Sequence, residues 1–291
     1  EDTPDFEDTL AMTCRSFDPD NLPHESSIRF GFETALRNLS GIPVNDFTRG
    51  AASIPINGLI WMGDKATMKQ RIDEKIAAGF KVLKLKIGGI SFDDELDLLR
   101  YIRSIYPSDI LELRLDANGS FSPGAAMEKL EALSSLGIHS IEQPIQAGQL
   151  LQMARICSES PIPIALDEEL IGTRTLEESR ELLEQIRPHY IILKPALCGG
   201  FSGADRWLGE AHRLGIGYWF TSALESNVGL GAIALHIASK GCELPQGLGT
   251  GQLYHNNFDS PLYLQGERMY YNPAKKLIIP DLEWRLSLIH I

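Results

Sequence analysis

The sequence predicts an α/β protein built on a parallel (β/α)8-type barrel. From about Ser53 onward, short apolar runs alternate with amphipathic helical stretches, and eight such runs follow one another in a continuous series. An open doubly wound sheet is the main alternative, and it would normally carry a glycine-rich phosphate turn after its first strand. Residues 61–64 follow the first apolar run and contain no such turn, which favours the barrel.

The strand candidates are short and apolar, and the stretches between them repeat apolar residues at helical spacing. Strands are expected at residues 54–60, 82–88, 112–118, 140–144, 162–168, 190–196, 218–224 and 244–249. Helices are expected at residues 67–78, 92–105, 123–136, 176–185, 204–214 and 228–239. The catalytic barrel is therefore predicted to occupy residues 51–254.

The two ends of the chain do not continue this alternation. Residues 26–39 form the clearest helical segment near the start, with Ile28, Phe32 and Leu36 on its apolar side. The residues after Tyr254 carry aromatic side chains and no further clear strand–helix unit. We predict that residues 1–50 and 255–291 form a smaller layer that packs against the barrel and its mouth.

Composition limits the classes of function. A length of 291 residues suits a barrel with a small appendage, and the net charge of −12 argues against a general nucleic-acid binder. No apolar run is long enough to span a bilayer, so no membrane partner is expected. The four widely spaced cysteines form no C-x-x-C pair and are expected to be reduced, buried thiols of a cytoplasmic protein: Cys14, Cys157, Cys198 and Cys242.

Lysines interrupt two of the apolar strands. Lys84 and Lys86 share one face of the second strand because alternate side chains point the same way, and Lys194 lies on the sixth strand, opposite them in an eight-stranded ring. Helices cover the outside of such a barrel, so these lysines are expected inside. Charge inside a barrel is costly unless it is paired or bound to metal. The lysines therefore predict a functional site.

Three carboxylates arrive one strand at a time on the arc between these lysines. Asp116, Glu142 and Asp167 lie near the carboxyl ends of their strands, which is the catalytic face of this fold. With no His or Cys among them they predict a Mg²⁺ site, with Mn²⁺ as the alternative. A substrate carboxylate bound to the metal could lose its α-proton to a lysine, and the metal would stabilise the enediolate. Lys84 is expected to lower the pKa of its neighbour Lys86.

This pattern resembles the enolase superfamily, in its muconate-lactonizing branch. Within that branch, the segments LDAN at 115–118, IEQP at 141–144, ILKP at 192–195 and SALES at 222–226 resemble the o-succinylbenzoate synthase family of menaquinone biosynthesis. The resemblance covers about residues 26–251 and implies a (β/α)7β barrel with an α+β capping domain. Family members begin with an antiparallel sheet, so residues 1–50 are expected to be the helical remnant of that cap.

The resemblance also implies an activity. It implies a Mg²⁺-dependent hydro-lyase that carries out the syn dehydration of 2-succinyl-6-hydroxy-2,4-cyclohexadiene-1-carboxylate to o-succinylbenzoate. The metal ligands would be Asp116, Glu142 and Asp167. Lys86 would take the α-proton and return it to the departing hydroxyl group, Lys84 would tune Lys86, and Lys194 would stabilise the enediolate.

Five further residues are candidate substrate contacts. The resemblance places Ser222, Ser226 and Gly247 near the succinyl carboxylate of the substrate. Asn118 is a candidate for a substrate contact, a strand-end hydrogen bond or support of the metal ligands, and Arg114 for a substrate contact or a salt bridge inside the barrel. The expected partner is a small carboxylate substrate, and the oligomeric state is left open.

Two other functions remain as alternatives at the level of sequence. The first is an N-acylamino-acid racemase or dipeptide epimerase, in which Lys86 and Lys194 would act as two bases on opposite faces of the substrate. The second is a non-catalytic barrel that only binds a ligand. Such a barrel would tolerate loss of the lysines, yet all three lysines are present, which disfavours it.

Overall fold

The computed structural model describes residues 5–279 of the chain. Its α-helices are α1 (Phe6–Arg15), α2 (Ser26–Leu39), α3 (Lys65–Ala77), α4 (Phe92–Ile105), α5 (Pro123–Ser134), α6 (Leu150–Glu159), α7 (Leu176–Ile186), α8 (Gly200–Leu214) and α9 (Asn227–Ala238). Its strands are β1 (Ser53–Pro55), β2 (Gly58–Ile60), β3 (Val82–Lys86), β4 (Glu112–Asp116), β5 (Ile138–Glu142), β6 (Ile164–Leu166), β7 (Tyr190–Leu193), β8 (Gly217–Phe220), β9 (Leu262–Gln265) and β10 (Arg268–Tyr271).

Seven parallel strands, β2 to β8, lie side by side in sequence order. A two-residue segment closes the ring between the last and the first of them. Gln246 exchanges backbone hydrogen bonds with Pro55 and Asn57, and the N–H of Gly247 donates to the carbonyl of Phe220. The predicted eight-stranded barrel is therefore confirmed, with a very short eighth strand.

Two predicted strands differ from the structure. The expected strand 54–60 is two strands, because β1 leaves the barrel to pair antiparallel with β10 of the β9–β10 hairpin, and only β2 pairs with β3. The expected strand 244–249 contributes only two bridging residues. The predictions also missed α6, although its apolar residues recur at helical spacing, and the β9–β10 hairpin.

Capping side chains mark the start of several barrel helices, α4 and α7 among them. α4 begins after Ser91, whose hydroxyl accepts a hydrogen bond from the backbone N–H of Asp94, and acidic residues occupy its first turn. Thr175 and Glu178 form a reciprocal capping box at the start of α7. Since α4 buries one apolar side, including Ile102, such helices form the outer layer that covers the sheet.

The domain division remains a prediction at both ends. α2 packs against α8 and α9, and the β9–β10 hairpin pairs with β1. These contacts agree with terminal segments that pack on the barrel. The expected segments run to residues 1 and 291, and residues 1–4 and 280–291 lie outside the described part of the chain.

The cysteines depart in part from expectation. Cys157 and Cys198 are buried, whereas Cys14 is exposed and Cys242 is half-buried. The expectation of four buried thiols is therefore wrong for the latter two, which lie outside the barrel core. Across residues 5–279, no helix has both the length and the apolar character needed to cross a membrane.

A buried histidine joins α2 to the barrel helices. The Arg37 guanidinium donates a 2.8 Å hydrogen bond to Nδ1 of His236 and lies over the ring of Phe201. Nε2 of His236 lies 3.1 Å from a carboxylate oxygen of Asp205, which also pairs with Lys240. Because arginine can only donate, Nδ1 must carry a lone pair, and the imidazole is held neutral.

We expect His236 to make the stability of the fold depend on pH. Burial lowers its pKa to about 4, despite the opposing effect of Asp205. An unfolded histidine has a pKa of about 6.5, so the unfolded chain binds the proton first as the pH falls. The contribution of neutral His236 to stability should be complete above that unfolded pKa and decline toward the folded pKa.

Urea unfolding of wild type and His236→Gln at several pH values measures this effect. The variant should show a weaker loss of unfolding free energy on acidification than the wild type. His255→Gln, at an exposed histidine, should behave as wild type. Equal pH dependence in wild type and His236→Gln would contradict the assignment.

Candidate active site

The predicted lysines and carboxylates meet at the carboxyl ends of the barrel strands. In the strand register Lys86 pairs with Asp116, and Asp116 pairs with Glu142. Asp167 follows directly after β6 and Lys194 directly after β7. The expected strands 162–168 and 190–196 are thus too long. The two residues belong to the loops at the rim of the barrel.

Ion pairs connect the second barrel strand with the next two. The Lys84 ammonium lies 2.8 Å from Asp116 and 2.6 Å from Glu142, and all three side chains are almost fully buried. The Lys86 ammonium lies 2.6 Å from the same Asp116 oxygen and donates a 2.7 Å hydrogen bond to Asn118. One carboxylate oxygen thus lies between two ammonium groups.

A separate ion pair lies across the ring. The Lys194 ammonium donates to the carboxylate of Asp167. Asp167 is buried, while the Lys194 side chain retains some exposure. The structure therefore brings together all six residues that the sequence singled out as catalytic or metal-binding, as two groups of ion pairs.

The charges of the site shift its pKa values in opposite directions. Burial raises the pKa of Glu142 well above its ordinary value, and the charge of Asp116 adds to that effect. For Asp116, the charges of Lys84 and Lys86 outweigh burial and lower the pKa. The neighbouring carboxylates likewise outweigh burial at Lys84 and Lys194 and raise the pKa of both.

The donor chemistry of the site fits a hard divalent cation. Asp116, Glu142 and Asp167 offer only carboxylate oxygens, the ligands that Mg²⁺ and Mn²⁺ prefer. One oxygen of Glu142 accepts no hydrogen bond of good geometry although it is buried. In the structure these carboxylates form ion pairs with lysines. Among residues 5–279, no three Asp, Glu, His or Cys side chains converge as a ligand set.

A cavity of about 210 Å³ opens above the lysines. Its lysines are Lys84, Lys86 and Lys194, and its other lining residues are mostly apolar or small: Asn57, Leu59, Trp61, Leu197, Thr221, Ser222, Ala223, Leu224, Gly247, Gly249 and Thr250. Most residues of this wall were not predicted from the sequence. Trp61 directly follows β2 and Leu197 lies four residues after β7, and as apolar residues they do not stand out from the apolar pattern of the sequence.

The predicted substrate contacts differ in whether they line the cavity. Ser222 and Gly247 line the cavity, but the Ser222 hydroxyl donates to the carboxylate of Glu225 and is already committed. Ser226 caps α9 by accepting a hydrogen bond from the backbone N–H of Val228, and it does not line the cavity. A Cβ at Gly247 would lie 2.1 Å from the Thr221 hydroxyl oxygen, so only glycine fits there.

Arg114 does not contact the cavity. It is 1% exposed, its Nε lies 2.7 Å from Glu112, and it donates a 2.8 Å hydrogen bond to the carbonyl of Pro245. Its guanidinium also lies 4.3 Å from the centre of the Trp219 ring. The substrate role is replaced by the alternative, a salt bridge inside the barrel, because the arginine points to the end away from the site.

Backbone strain is concentrated at the rim of the site. Four non-glycine residues between positions 5 and 279 have positive φ angles. Asn118, Gln143 and Leu224 follow barrel strands at the rim, whereas Arg187 ends α7. A left-handed conformation costs a non-glycine residue free energy, and such residues cluster at functional sites. The expected strands 112–118 and 140–144 end early for this reason.

The fold and the site define a class of (β/α) barrel in which lysines face each other across three carboxylates. This arrangement is suited to removal of a proton next to a bound carboxylate. The chain belongs to the enolase superfamily, since residues 67–271 match the family model described as enolase C-terminal domain-like. The resemblance found in the lysine and carboxylate pattern is confirmed.

Individual relatives are similar over much of the chain. An o-succinylbenzoate synthase from Desulfotalea psychrophila is 52% identical over 245 residues, which are 82% of this chain and 66% of that relative. The crystal structure of MenC from Desulfotalea psychrophila LSv54 matches with a TM-score of 0.74 at 42% identity, over 93% of this chain and 81% of that one. An N-succinylamino acid racemase from Thermus thermophilus is 33% identical over 168 residues, 58% of this chain and 43% of that relative. The chain thus spans at most about two thirds of these curated relatives.

Proposed function

We propose that this protein is an o-succinylbenzoate synthase. The reaction is the dehydration of 2-succinyl-6-hydroxy-2,4-cyclohexadiene-1-carboxylate, which makes the protein a carbon–oxygen hydro-lyase of menaquinone biosynthesis. The observation that carries the proposal is the high identity to the Desulfotalea synthase across most of the chain. The site chemistry alone is weaker support, because racemases that start from the same proton abstraction could use it.

The metal would be held by Asp116, Glu142 and Asp167. A bound Mg²⁺, with Mn²⁺ as the alternative, supplies a Lewis acid that acidifies the proton next to the substrate carboxylate. Lys84 lies buried between Asp116 and Glu142. Its ion pairs fix the position of both carboxylates, and tuning of its neighbour Lys86 stays a prediction.

Lys86 would carry the proton. Its ammonium nitrogen lines the cavity and is held by Asp116 and Asn118. In its neutral form Nζ takes the α-proton of the substrate, and the resulting ammonium gives a proton to the hydroxyl group that leaves as water. Because one residue serves both steps, proton and hydroxyl depart from the same face of the ring, and the product is aromatic.

Lys194 would act from the opposite side of the cavity. The carboxylates around it raise its pKa, which keeps the side chain in the ammonium form. A fixed positive charge there stabilises the negative charge that develops on the substrate as the proton leaves.

The second candidate function is racemisation or epimerisation of N-acyl amino acids or dipeptides. The placement of Lys86 and Lys194 on opposite sides of one cavity favours it, as does the similarity to the Thermus racemase. In that reaction one lysine removes the α-proton and the other returns a proton to the opposite face. Solvent deuterium would then enter the α-carbon of the amino acid.

Direct assays distinguish the candidates. With Mg²⁺, purified protein should convert the cyclohexadiene carboxylate to o-succinylbenzoate, and EDTA should abolish turnover until Mg²⁺ is restored. Absence of conversion under conditions where the protein is folded would overturn the proposal. N-succinyl amino acids incubated in D₂O should show no exchange at the α-carbon, and exchange without dehydration would support the racemase. The cytoplasmic location rests on the expected reduced thiols and is part of this proposal.

A further inference from the structure

A fully buried glutamine connects the loops that carry two of the proposed metal ligands. Gln143 follows Glu142, the last residue of β5, and is 0% exposed. Its side-chain oxygen accepts hydrogen bonds from the backbone N–H groups of Asp167 at 3.2 Å and Glu169 at 3.4 Å. Its side-chain nitrogen donates 3.0 Å hydrogen bonds to the carbonyl of Ile145 and to the carboxylate of Glu169.

The second partner of this glutamine is itself anchored. Glu169 is 5% exposed, and its other carboxylate oxygen accepts a 2.8 Å hydrogen bond from the backbone N–H of Gly148. The amide of Gln143 therefore satisfies its oxygen and its nitrogen with four contacts, and it joins the loop after β5 to the turn after β6. Buried polar networks that are fully satisfied are rigid.

The backbone of Gln143 indicates why this position matters. Its φ angle is +41°, a left-handed conformation in a residue other than glycine. Such a conformation costs about 1–3 kcal/mol and persists only when its surroundings impose it. The four hydrogen bonds of the side chain hold this conformation together with two backbone bonds, from the N–H of Gln143 to Ala165 and from the N–H of Gly119 to the carbonyl of Gln143. They thereby set the direction in which the chain leaves Glu142, and the neighbouring N–H of Asp167 is held by the same amide.

We propose that Gln143 is a positioning residue that sets the spacing of Glu142 and Asp167 for a divalent cation. The inference rests on the proposed function, which assigns these two carboxylates to the metal. Gln143 does not touch substrate or metal in this scheme. It acts through the loop geometry of the two ligands, as partners that orient metal ligands do in other sites.

Direct metal binding tests the proposal. Mn²⁺ affinity, measured by the electron paramagnetic resonance signal of free Mn²⁺, should fall about 10–100-fold in Gln143→Met, the range typical for loss of a residue that orients a ligand. Gln246→Met is the matched control, since Gln246 is also 0% exposed and its amide bonds Phe220 and Leu244 but no proposed ligand. It should unfold at a lower temperature and bind Mn²⁺ as wild type does.

A pair of exchanged residues keeps the test decisive if Gln143→Met does not fold. Gln143→Glu places an oxygen against the Glu169 carboxylate and should also weaken Mn²⁺ binding. Adding Glu169→Gln restores a hydrogen bond between the two side chains with its direction reversed, and should recover most of the lost affinity.

The possible results distinguish the positioning role of Gln143 from the proposed function of the protein. Wild-type affinity in folded Gln143→Met or Gln143→Glu, with Mn²⁺ bound by the wild type, would overturn the positioning role and leave the proposed function intact. Recovery of thermal stability in the exchanged pair without recovery of Mn²⁺ affinity would also overturn it. Absence of Mn²⁺ binding by the wild type would remove the metal site of the proposed function and this inference with it.

Discussion

Lys86→Ala is expected to lower kcat for the dehydration by about 10²–10⁴-fold, the usual contribution of a positioned general acid–base group. The variant loses the only nitrogen that we assign to proton transfer. It should stay folded, because Lys84 still pairs with Asp116. Initial rates of o-succinylbenzoate formation at saturating substrate and Mg²⁺, with circular dichroism melting curves, measure both effects.

A lysine on the approach to the same strand provides the control. Lys81 is exposed and lies one residue before β3, so Lys81→Ala should retain wild-type kcat. If Lys86→Ala and Lys81→Ala turn over substrate equally fast, Lys86 is not the base. If Lys86→Ala retains turnover that disappears only when Lys194 is also replaced, Lys194 carries out the proton transfer from the other side of the cavity.

Lys84→Met should cause the largest loss of stability. It removes the ammonium that lies within 3 Å of both Asp116 and Glu142 in a buried environment. Breaking a buried ion pair by deleting one partner costs about 3–5 kcal/mol, because the remaining charge is left uncompensated; here that charge is Glu142, since Asp116 keeps Lys86. We expect a decrease of that size in the unfolding free energy from urea titrations at pH 7 with EDTA. Mg²⁺ should offset part of the loss.

An exposed ion pair serves as the reference for this measurement. Lys69 and Asp73 lie 2.8 Å apart on α3 with nearly half of each side chain exposed. Such surface pairs contribute about 0–1 kcal/mol, so Lys69→Met should be mild. A loss in Lys84→Met no greater than that in Lys69→Met would mean that the carboxylates are not held by this lysine.

The charged residues of the site could be predicted because each one violates a local rule. Lys84 and Lys86 lie on an apolar strand and Lys194 directly follows another, and strand alternation alone directs the first two to the inside of the ring. Asp116 and Glu142 end their strands, and in a parallel barrel all such ends lie on one face. These arguments need only the two-residue repeat of side-chain direction along a strand and the order of the strands, both of which can be read from one sequence.

The supporting residues could not be predicted in the same way. Gln143 appears in the sequence as an ordinary polar residue after a strand, and its role depends on a left-handed backbone angle and on contacts with residues about 25 positions away. Arg114 shares the inner face with Asp116 but points to the opposite end of the barrel. Strand alternation predicts on which face of the sheet a side chain lies, and it does not predict the position of that side chain along the barrel axis. Tertiary contacts decide both cases, and no local pattern encodes them.

The three residues from Pro55 to Asn57 give the C-terminal hairpin an unexpected importance. The N–H of Ile56 donates to the carbonyl of Glu267 in the hairpin, while its neighbours on either side exchange hydrogen bonds with Gln246 of the closing strand. One short stretch of backbone is thus shared by two sheets. Removing the hairpin would therefore loosen the closure of the ring itself. The hairpin and the closing strand therefore share one stretch of backbone, although the order of elements along the chain makes the hairpin look like an appendage.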